Sequence, residues 1–149
     1  MTAAALYTQI VLGHARAPRN FGSLEGHTHA ADGANPLCGD ALRCELRSSA
    51  GCIEAVRFSG AACAVATATA SMLSELAPGL SAERIAALEQ RFARLIEGAV
   101  ATDPGLGDLN AMHALVQHPS RRKCALLPFA TLRAALAGEA ATTTERSSG

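Results

Sequence analysis

Residues 42–76, LRCELRSSAGCIEAVRFSGAACAVATATASMLSEL, contain the pattern that decides the fold. At 42–48, apolar and charged residues alternate, which is typical of a strand with one buried face. A second segment at 52–60 alternates less regularly, and the small residues 49–51 between the two favour a turn. The stretch therefore predicts an antiparallel hairpin.

The end of the same stretch predicts a buried helix. Residues 64–76 are small or apolar, and Pro78 follows shortly after them. Beyond it, Ser81 is a candidate N-cap for another helix, in which apolar side chains recur at helical spacing. That apolar stripe comprises Ile85, Leu88, Phe92 and Leu95. We therefore expect two helices directly after the hairpin.

Upstream of the hairpin, the chain should begin with a helix and continue as a loop. Residues 3–17 have apolar side chains at helical spacing and end before Pro18. Residues 18–40 are rich in Gly, Pro, Asn and His, which predicts a loop that could include one short strand.

The downstream part is predicted to be helical with interruptions. Residues 98–108 predict a break, and 109–116 predict a short helix. A last helix should end near Ala137, and Pro128 should kink or restart it because proline lacks a backbone donor. The small, polar residues 140–149 predict a disordered tail.

Two strands followed by a run of helices predict an α+β fold, with a small antiparallel β-sheet packed against several helices. A chain of 149 residues is long enough to bury one hydrophobic core without help from disulfides. We therefore expect residues 1–139 to form a single domain.

Composition argues against several function classes. Lys plus Arg equals Asp plus Glu at 13 each, and the chain has one Tyr and no Trp, so nucleic acid is an unexpected partner. No apolar run is long enough to cross a bilayer, and the N-terminus lacks the basic leader of a signal peptide. We therefore expect a cytoplasmic protein. In the reducing cytoplasm, cysteines more often bind metals or react than form disulfides.

Three of the five cysteines lie at predicted element boundaries. Cys38 and Asp40 belong to NPLCGD, whose turn-forming residues should let both side chains reach one ion. Cys63 starts a predicted helix, where the helix dipole favours a thiolate. Cys124 follows residues 121–123, RRK, whose charges should lower its pKa.

These three thiolates and one carboxylate would complete a tetrahedral zinc site. The same thiolates could hold an iron-sulfur cluster, because soft sulfur donors suit both. The spacing is long and includes no CxxC pair, so residue types alone leave open whether the cysteines share a metal or are scattered core and surface residues.

The sequence resembles the U-type scaffold family of iron-sulfur assembly over residues 5–137. The motifs that carry the resemblance are LYTQIVLGHARAPRNFG, NPLCGD, VRFSGAACAVATATASML and LGDLNAMHALVQHPSRRKCALLPF. It is closer to the SufU-like than to the IscU-like branch, because an insertion at about 78–107 precedes the third cysteine and Lys123 stands where the IscU-like branch has His. The resemblance implies a SufE/NifU-like fold.

The resemblance also implies zinc ligands, namely Cys38, Asp40, Cys63 and Cys124. The implied function is that of a zinc-dependent sulfurtransferase, which accepts persulfide sulfur from a SufS-like cysteine desulfurase that uses pyridoxal phosphate. The alternative is a scaffold on which an iron-sulfur cluster is assembled and transferred, and a purely structural zinc site is a third possibility.

Within the implied sulfur relay, one zinc-bound cysteine must become the sulfur acceptor. We favour Cys38, because a ligand on a loop leaves a metal at lower cost than one anchored at a helix start, and Cys124 is the second choice. Arg121 matches a family position that helps to engage the desulfurase.

The remaining cysteines and histidines have simpler interpretations. Cys44 lies on the apolar face of a predicted strand and should be buried, and Cys52 lies at a turn. The five histidines are expected to be solvated or to lie at helix ends and surfaces rather than to bind metal. They are His14, His27, His29, His113 and His118.

Overall fold

The computed structural model describes residues 3–144, with side chains from residue 9 onward. Its sheet contains strands β1 (His29–Asn35), β2 (Asp40–Ser49), β3 (Cys52–Ala61) and β4 (Ala141–Thr143). The strand order is β3-β2-β1-β4, and β2 is antiparallel to both β1 and β3. The predicted hairpin is confirmed, and the predicted loop at 18–40 includes the strand β1.

The fourth strand makes the sheet mixed rather than purely antiparallel, since β4 lies parallel to β1. The prediction of a disordered tail is wrong for Ala141–Thr143, while 145–149 lie outside the described residues. The backbone explains the difference, because Asp32 N donates to Ala140 O at 2.9 Å and Thr144 N donates to Ala34 O at 3.0 Å. The open edge of β1 thus supplies partners that the tail's own composition does not indicate.

Helices cover one side of the sheet. They are α1 (Ala3–Arg16), α2 (Ala64–Leu76), α3 (Ala82–Glu97) and α4 (Arg122–Leu136), with 3-10 segments at Pro104–Gln117 and Pro119–Arg121. Ser81 caps α3 as predicted, because its side chain accepts a hydrogen bond from Arg84 N at 3.2 Å. The α+β class is confirmed.

The predicted break at 98–108 is too long. The 3-10 segment begins at Pro104, where proline is tolerated because a first-turn N–H has no helical partner. Asp103 caps it by accepting from Gly105 N at 3.0 Å, and Gly107, with φ 53° and ψ −131°, interrupts the helical backbone.

Helix α4 continues through Pro128 without a restart, because buried packing around the proline stabilises this part of the helix. Pro128 and its neighbours Leu127 and Phe129 are buried, and the Phe129 ring stacks on Phe92 with 5.2 Å between centroids. The buried apolar contacts outweigh the missing hydrogen bond.

Helix α4 packs directly on β1 at Gly33. A Cβ atom at this position would lie 2.0 Å from Thr131 Oγ1, so only glycine allows the two backbones to approach this closely. This close contact brings the N-terminal turn of α4, which carries Cys124, to the end of β1.

Candidate metal centre

The turn between β1 and β2 presents Cys38 to solvent. Asn35 and Asp40 face each other as the last register pair of the two strands, and the turn between them is closed by a bond from Cys38 N to Asn35 O at 3.2 Å. Gly39 has a φ of 70°, which glycine adopts without strain. Cys38 is exposed, as is Leu37 beside it at 75 %.

Asp40 connects this turn to the start of α2. Its side chain is 3 % exposed, and its Oδ1 accepts a hydrogen bond from Cys63 N at 2.7 Å. Its Oδ2 lies 3.8 Å from Cys63 Sγ. The carboxylate therefore occupies a helix N-terminus, where the dipole favours negative charge.

Cys63 is the N-cap of α2, as the sequence predicted for the start of this helix. Its Sγ accepts a hydrogen bond from Ala66 N at 3.5 Å. The thiol is half-buried and faces Asp40. A helix N-terminus, where a backbone N–H donates to the sulfur, is a favourable place for a thiolate.

Cys124, on helix α4, is the remaining residue of the cluster. It is fully buried in the first turn of α4, and its Sγ lies 3.3 Å from Cys38 Sγ. The Sγ atoms of Cys38 and Cys124 and a carboxylate oxygen of Asp40 all lie within 4.8 Å of one another. The structure thus brings together residues that are up to 86 positions apart.

The prediction that the basic residues 121–123 lower the pKa of Cys124 is wrong for the protein alone. Burial raises this pKa, and the neighbouring Cys38, Cys63 and Asp40 raise it further. A thiolate at this position therefore needs a positive charge from elsewhere, and a metal ion in the cluster would supply it.

The chemistry of the donor set fits zinc. Zinc in a tetrahedral site with bonds of about 2.3 Å to sulfur holds its thiolates about 3.8 Å apart. Cys124 Sγ and Cys38 Sγ lie 3.3 Å apart, somewhat closer than that spacing, and the third thiol, Cys63 Sγ, lies 3.8 Å from Asp40 Oδ2. The same thiols also suit an iron-sulfur cluster.

Sequence analysis missed one residue of this site, Asn35. It is fully buried, and its Nδ2 donates to Asp40 Oδ2 at 3.2 Å and to Cys124 Sγ at 3.4 Å. The only signal was its place in the NPLCGD motif, where an asparagine is also a common turn residue.

Arg121 lies one turn before Cys124, at the exposed N-cap of α4, and its side chain makes no capping hydrogen bond. Cys44 is fully buried as predicted, and burial raises its pKa to about 12. Cys52 is half-buried at the β2–β3 turn.

A second group of potential ligands comprises His14, Glu75 and Asp108, and sequence analysis missed it. His14 lies buried in the last turn of α1. Its Nδ1 bonds Ser71 Oγ at 2.8 Å, and its Nε2 bonds Asp108 Oδ2 at 2.9 Å. Both ring nitrogens therefore already have partners within the protein.

The family model of the NifU-like N-terminal domain matches residues 6–125. The chain therefore belongs to this family, which confirms the resemblance to U-type scaffold proteins. Within residues 3–144, which the structure describes, no helix is long and apolar enough to cross a bilayer.

Curated relatives refine the comparison. The chain is 31 % identical to the zinc-dependent sulfurtransferase SufU of Bacillus subtilis, with 90 % of this chain and 91 % of the relative aligned. It is 30 % identical to the iron-sulfur cluster assembly scaffold protein IscU of Streptococcus pyogenes, over 88 % of this chain and 82 % of the relative.

Solved structures support the same fold. A NifU-like protein from Brucella abortus matches with a TM-score of 0.81 at 19 % identity, over 92 % of this chain and 96 % of that one. A SufU-type protein from Fervidobacterium islandicum matches with a TM-score of 0.80 at 23 % identity, over 91 % of this chain and 99 % of that one.

Proposed function

We propose that this protein is a zinc-dependent sulfurtransferase of iron-sulfur cluster assembly, which accepts persulfide sulfur from a SufS-like cysteine desulfurase that uses pyridoxal phosphate. The observation that carries the proposal is an exposed thiol, Cys38, whose Sγ lies 3.3 Å from the buried Cys124 Sγ. Cys38 is open to a partner protein, whereas Cys63 is half-buried and Cys124 is buried.

The proposed metal ligands are Cys38, Asp40, Cys63 and Cys124. When bound, zinc would keep the thiols deprotonated at neutral pH. The similarity to a relative named as a zinc-dependent sulfurtransferase, which covers nine-tenths of both chains, supports the assignment.

The proposed transfer step uses Cys38 as nucleophile. Its thiolate attacks the outer sulfur of the desulfurase persulfide, and a new S–S bond forms. The bond between that sulfur and the desulfurase cysteine breaks, and this cysteine leaves as a thiolate. The exchange is redox-neutral, so it needs no further oxidant or reductant. Cys124 is the second choice of acceptor, because its Sγ is buried.

Arg121 is proposed to engage the desulfurase. It is exposed one helical turn from Cys124, so a partner that reaches Cys38 would pass close to it. Arg121→Ala should weaken desulfurase binding without reducing zinc content. Arg84→Ala, which removes an exposed arginine of α3, is the matched control and should bind normally.

Sulfide release by a purified SufS-like desulfurase tests the function as a whole. The full chain should bind one zinc and accelerate release, and mass spectrometry should find one added sulfur on Cys38. Cys38→Ser should abolish the acceleration, and Cys52→Ser should not. A zinc-loaded chain that leaves sulfide release unchanged would refute the relay.

A second candidate function is cluster assembly, with a transient iron-sulfur cluster on the same thiols. The similarity to a relative named as an assembly scaffold favours it. Anaerobic reconstitution should then give a stable cluster that displaces zinc and can be transferred to an acceptor protein.

We also propose that the protein acts in the cytoplasm with the iron-sulfur assembly machinery. All five cysteines are free, as expected in a reducing compartment.

A further inference from the structure

Both polar atoms of the Asn35 side chain have hydrogen-bond partners at the candidate metal centre. An asparagine amide carries two N–H donors and one acceptor oxygen. The donors face Asp40 Oδ2 at 3.2 Å and Cys124 Sγ at 3.4 Å, and the oxygen accepts from Thr144 Oγ1 at 2.9 Å. A buried amide that binds two proposed ligands at once can set their relative positions.

The orientation of this amide is determined by its neighbours. In the flipped orientation the amide oxygen would face the Asp40 carboxylate and the Cys124 sulfur, and both are acceptors when ionised. The observed orientation instead directs both N–H groups at potential anions. Thr144 holds the amide oxygen on the opposite side.

Thr144 follows directly after β4, so this contact connects the last strand to the metal centre. Its backbone is fixed as well, since Thr144 N donates to Ala34 O at 3.0 Å, next to Asn35 in the chain. Two bonds, one from the backbone and one from the side chain, therefore attach the end of β4 to the end of β1.

We propose that Asn35 is a positioning residue that holds Asp40 and Cys124 in place for the metal, and that Thr144 fixes its orientation. The inference rests on the proposed metal site and extends it by two residues outside the set of ligands. Partners that bind metal ligands in this way commonly change metal affinity by about 10- to 100-fold when removed.

The hydrogen bond from Asn35 also makes Cys38 and Cys124 chemically different, although their Sγ atoms lie 3.3 Å apart. Cys124 is buried and receives an N–H donor from Asn35, whereas Cys38 is exposed to solvent. A hydrogen bond to a thiolate stabilises its charge and lowers its nucleophilicity. Asn35 therefore makes Cys124 the retained ligand and leaves Cys38 as the more reactive one.

Metal titrations of the full-length protein test the inference. Zinc affinity, measured by competition with a chromophoric chelator, should fall by about 10- to 100-fold in Asn35→Leu and by about 3- to 10-fold in Thr144→Val. Thr144→Ser keeps the hydroxyl and should restore the affinity. Thr142→Val, two residues earlier and within β4, is the matched control and should bind zinc like the wild type.

A spectroscopic measurement separates positioning from general destabilisation. In the cobalt(II)-substituted protein, the thiolate-to-metal charge-transfer bands should shift in Asn35→Leu and Thr144→Val and remain unchanged in Thr142→Val. Alkylation of the zinc-loaded protein should modify Cys38 first in the wild type and lose this selectivity in the two variants.

The outcomes distinguish this inference from the proposed function. Suppose that the wild-type chain binds zinc tightly and that Thr144→Val has the same zinc affinity and cobalt spectrum. This result would overturn the inference and leave the proposed zinc site intact. A wild-type chain that binds neither zinc nor cobalt would overturn both. If Asn35→Leu fails to fold, Thr144→Val and Thr144→Ser decide the question.

Discussion

Two clusters of potential metal ligands lie on opposite ends of helix α2, and only one of them is suited to a metal. At the N-terminal end, Cys38, Asp40, Cys63 and Cys124 bring sulfur atoms into contact with each other and with a carboxylate. At the other end, His14 lies with Glu75 and Asp108 at similar separations. Proximity alone would treat the two clusters as equal.

The difference lies in the partners that each cluster already has. Both ring nitrogens of His14 are hydrogen-bonded, to Ser71 and to Asp108, and Glu75 accepts a bond from Arg19 at 2.7 Å. These groups form a complete polar network that joins α1, α2 and the 3-10 segment. Thiols packed against each other are weak hydrogen-bond partners, so their strongest available interaction is with a metal.

The largest expected effect comes from removing a proposed ligand, Cys124, and comparing the variant with one at the histidine cluster. Cys124→Ala should lower zinc affinity by more than about 100-fold, because losing a ligand costs more than losing a partner of a ligand. His14→Gln should leave zinc affinity unchanged. Competition with a chromophoric chelator measures both, and a loss of zinc in the His14 variant would break the distinction.

A substitution that displaces α4 from β1 should destabilise the fold. Gly33→Ala places a methyl group within 2.0 Å of Thr131 Oγ1, so we expect a loss of about 1–3 kcal/mol in the free energy of unfolding, measured by urea denaturation.

Gly13→Ala is the matched control, because no described residue lies within 4 Å of a Cβ atom there and alanine favours a helix. Destabilisation by Gly13→Ala equal to that of Gly33→Ala would show that the close approach of α4 to β1 is not the cause.

The histidine network should contribute to stability instead of metal binding. His14→Ala removes two hydrogen bonds and leaves the buried Ser71 Oγ with the bond from Arg19 N but without its histidine partner, which should cost about 1–3 kcal/mol. Thermal and urea unfolding should report this loss while zinc stoichiometry stays at the wild-type value. An unchanged free energy of unfolding would contradict the structural role.

A smaller effect concerns a carboxylate with a permanent cationic partner, Glu45. The Leu24 amide at 2.7 Å and, next, the Arg43 guanidinium at 2.9 Å hold the pKa of Glu45 below its ordinary value of 4.5. A lowered pKa in the folded state stabilises the protein above about pH 4.5, and this contribution is lost as the pH falls through the folded-state value.

Glu45→Gln should therefore lower stability at neutral pH by about 1 kcal/mol and flatten the dependence of unfolding on pH below 5. Urea denaturation between pH 3 and 7 measures both quantities. Parallel acid limbs in the variant and the wild type would show that another carboxylate is responsible.

The parts of the fold that were predicted correctly depend on local patterns. Alternation identified β2, and the cap at Ser81 with a regular apolar stripe identified α3, because both signals lie within a few residues. Strand β4 has only three residues without a pattern, and it forms because β1 offers an open edge more than a hundred positions away.

The candidate site divides in the same way. The turn at NPLCGD predicted that Cys38 and Asp40 lie together, since both belong to one bend. The arrival of Cys124 depends on how α4 packs on β1, which the sequence shows only through resemblance. The basic residues at 121–123 predicted a lowered pKa for Cys124, but burial raises this pKa. Burial is a property of the packed fold, so the sequence pattern did not indicate it.

Pro128 has a further consequence for the buried thiol. It lies four residues after Cys124, where an N–H would normally bind the Cys124 carbonyl, and proline has none. The turn that carries Cys124 is therefore joined to the rest of α4 by one hydrogen bond fewer than a regular turn. Local opening of this turn should require less free energy than global unfolding, so its amide hydrogens exchange sooner than those beyond Phe129. A thiol hidden in the resting protein could thus reach solvent through a brief fluctuation while the core stays folded.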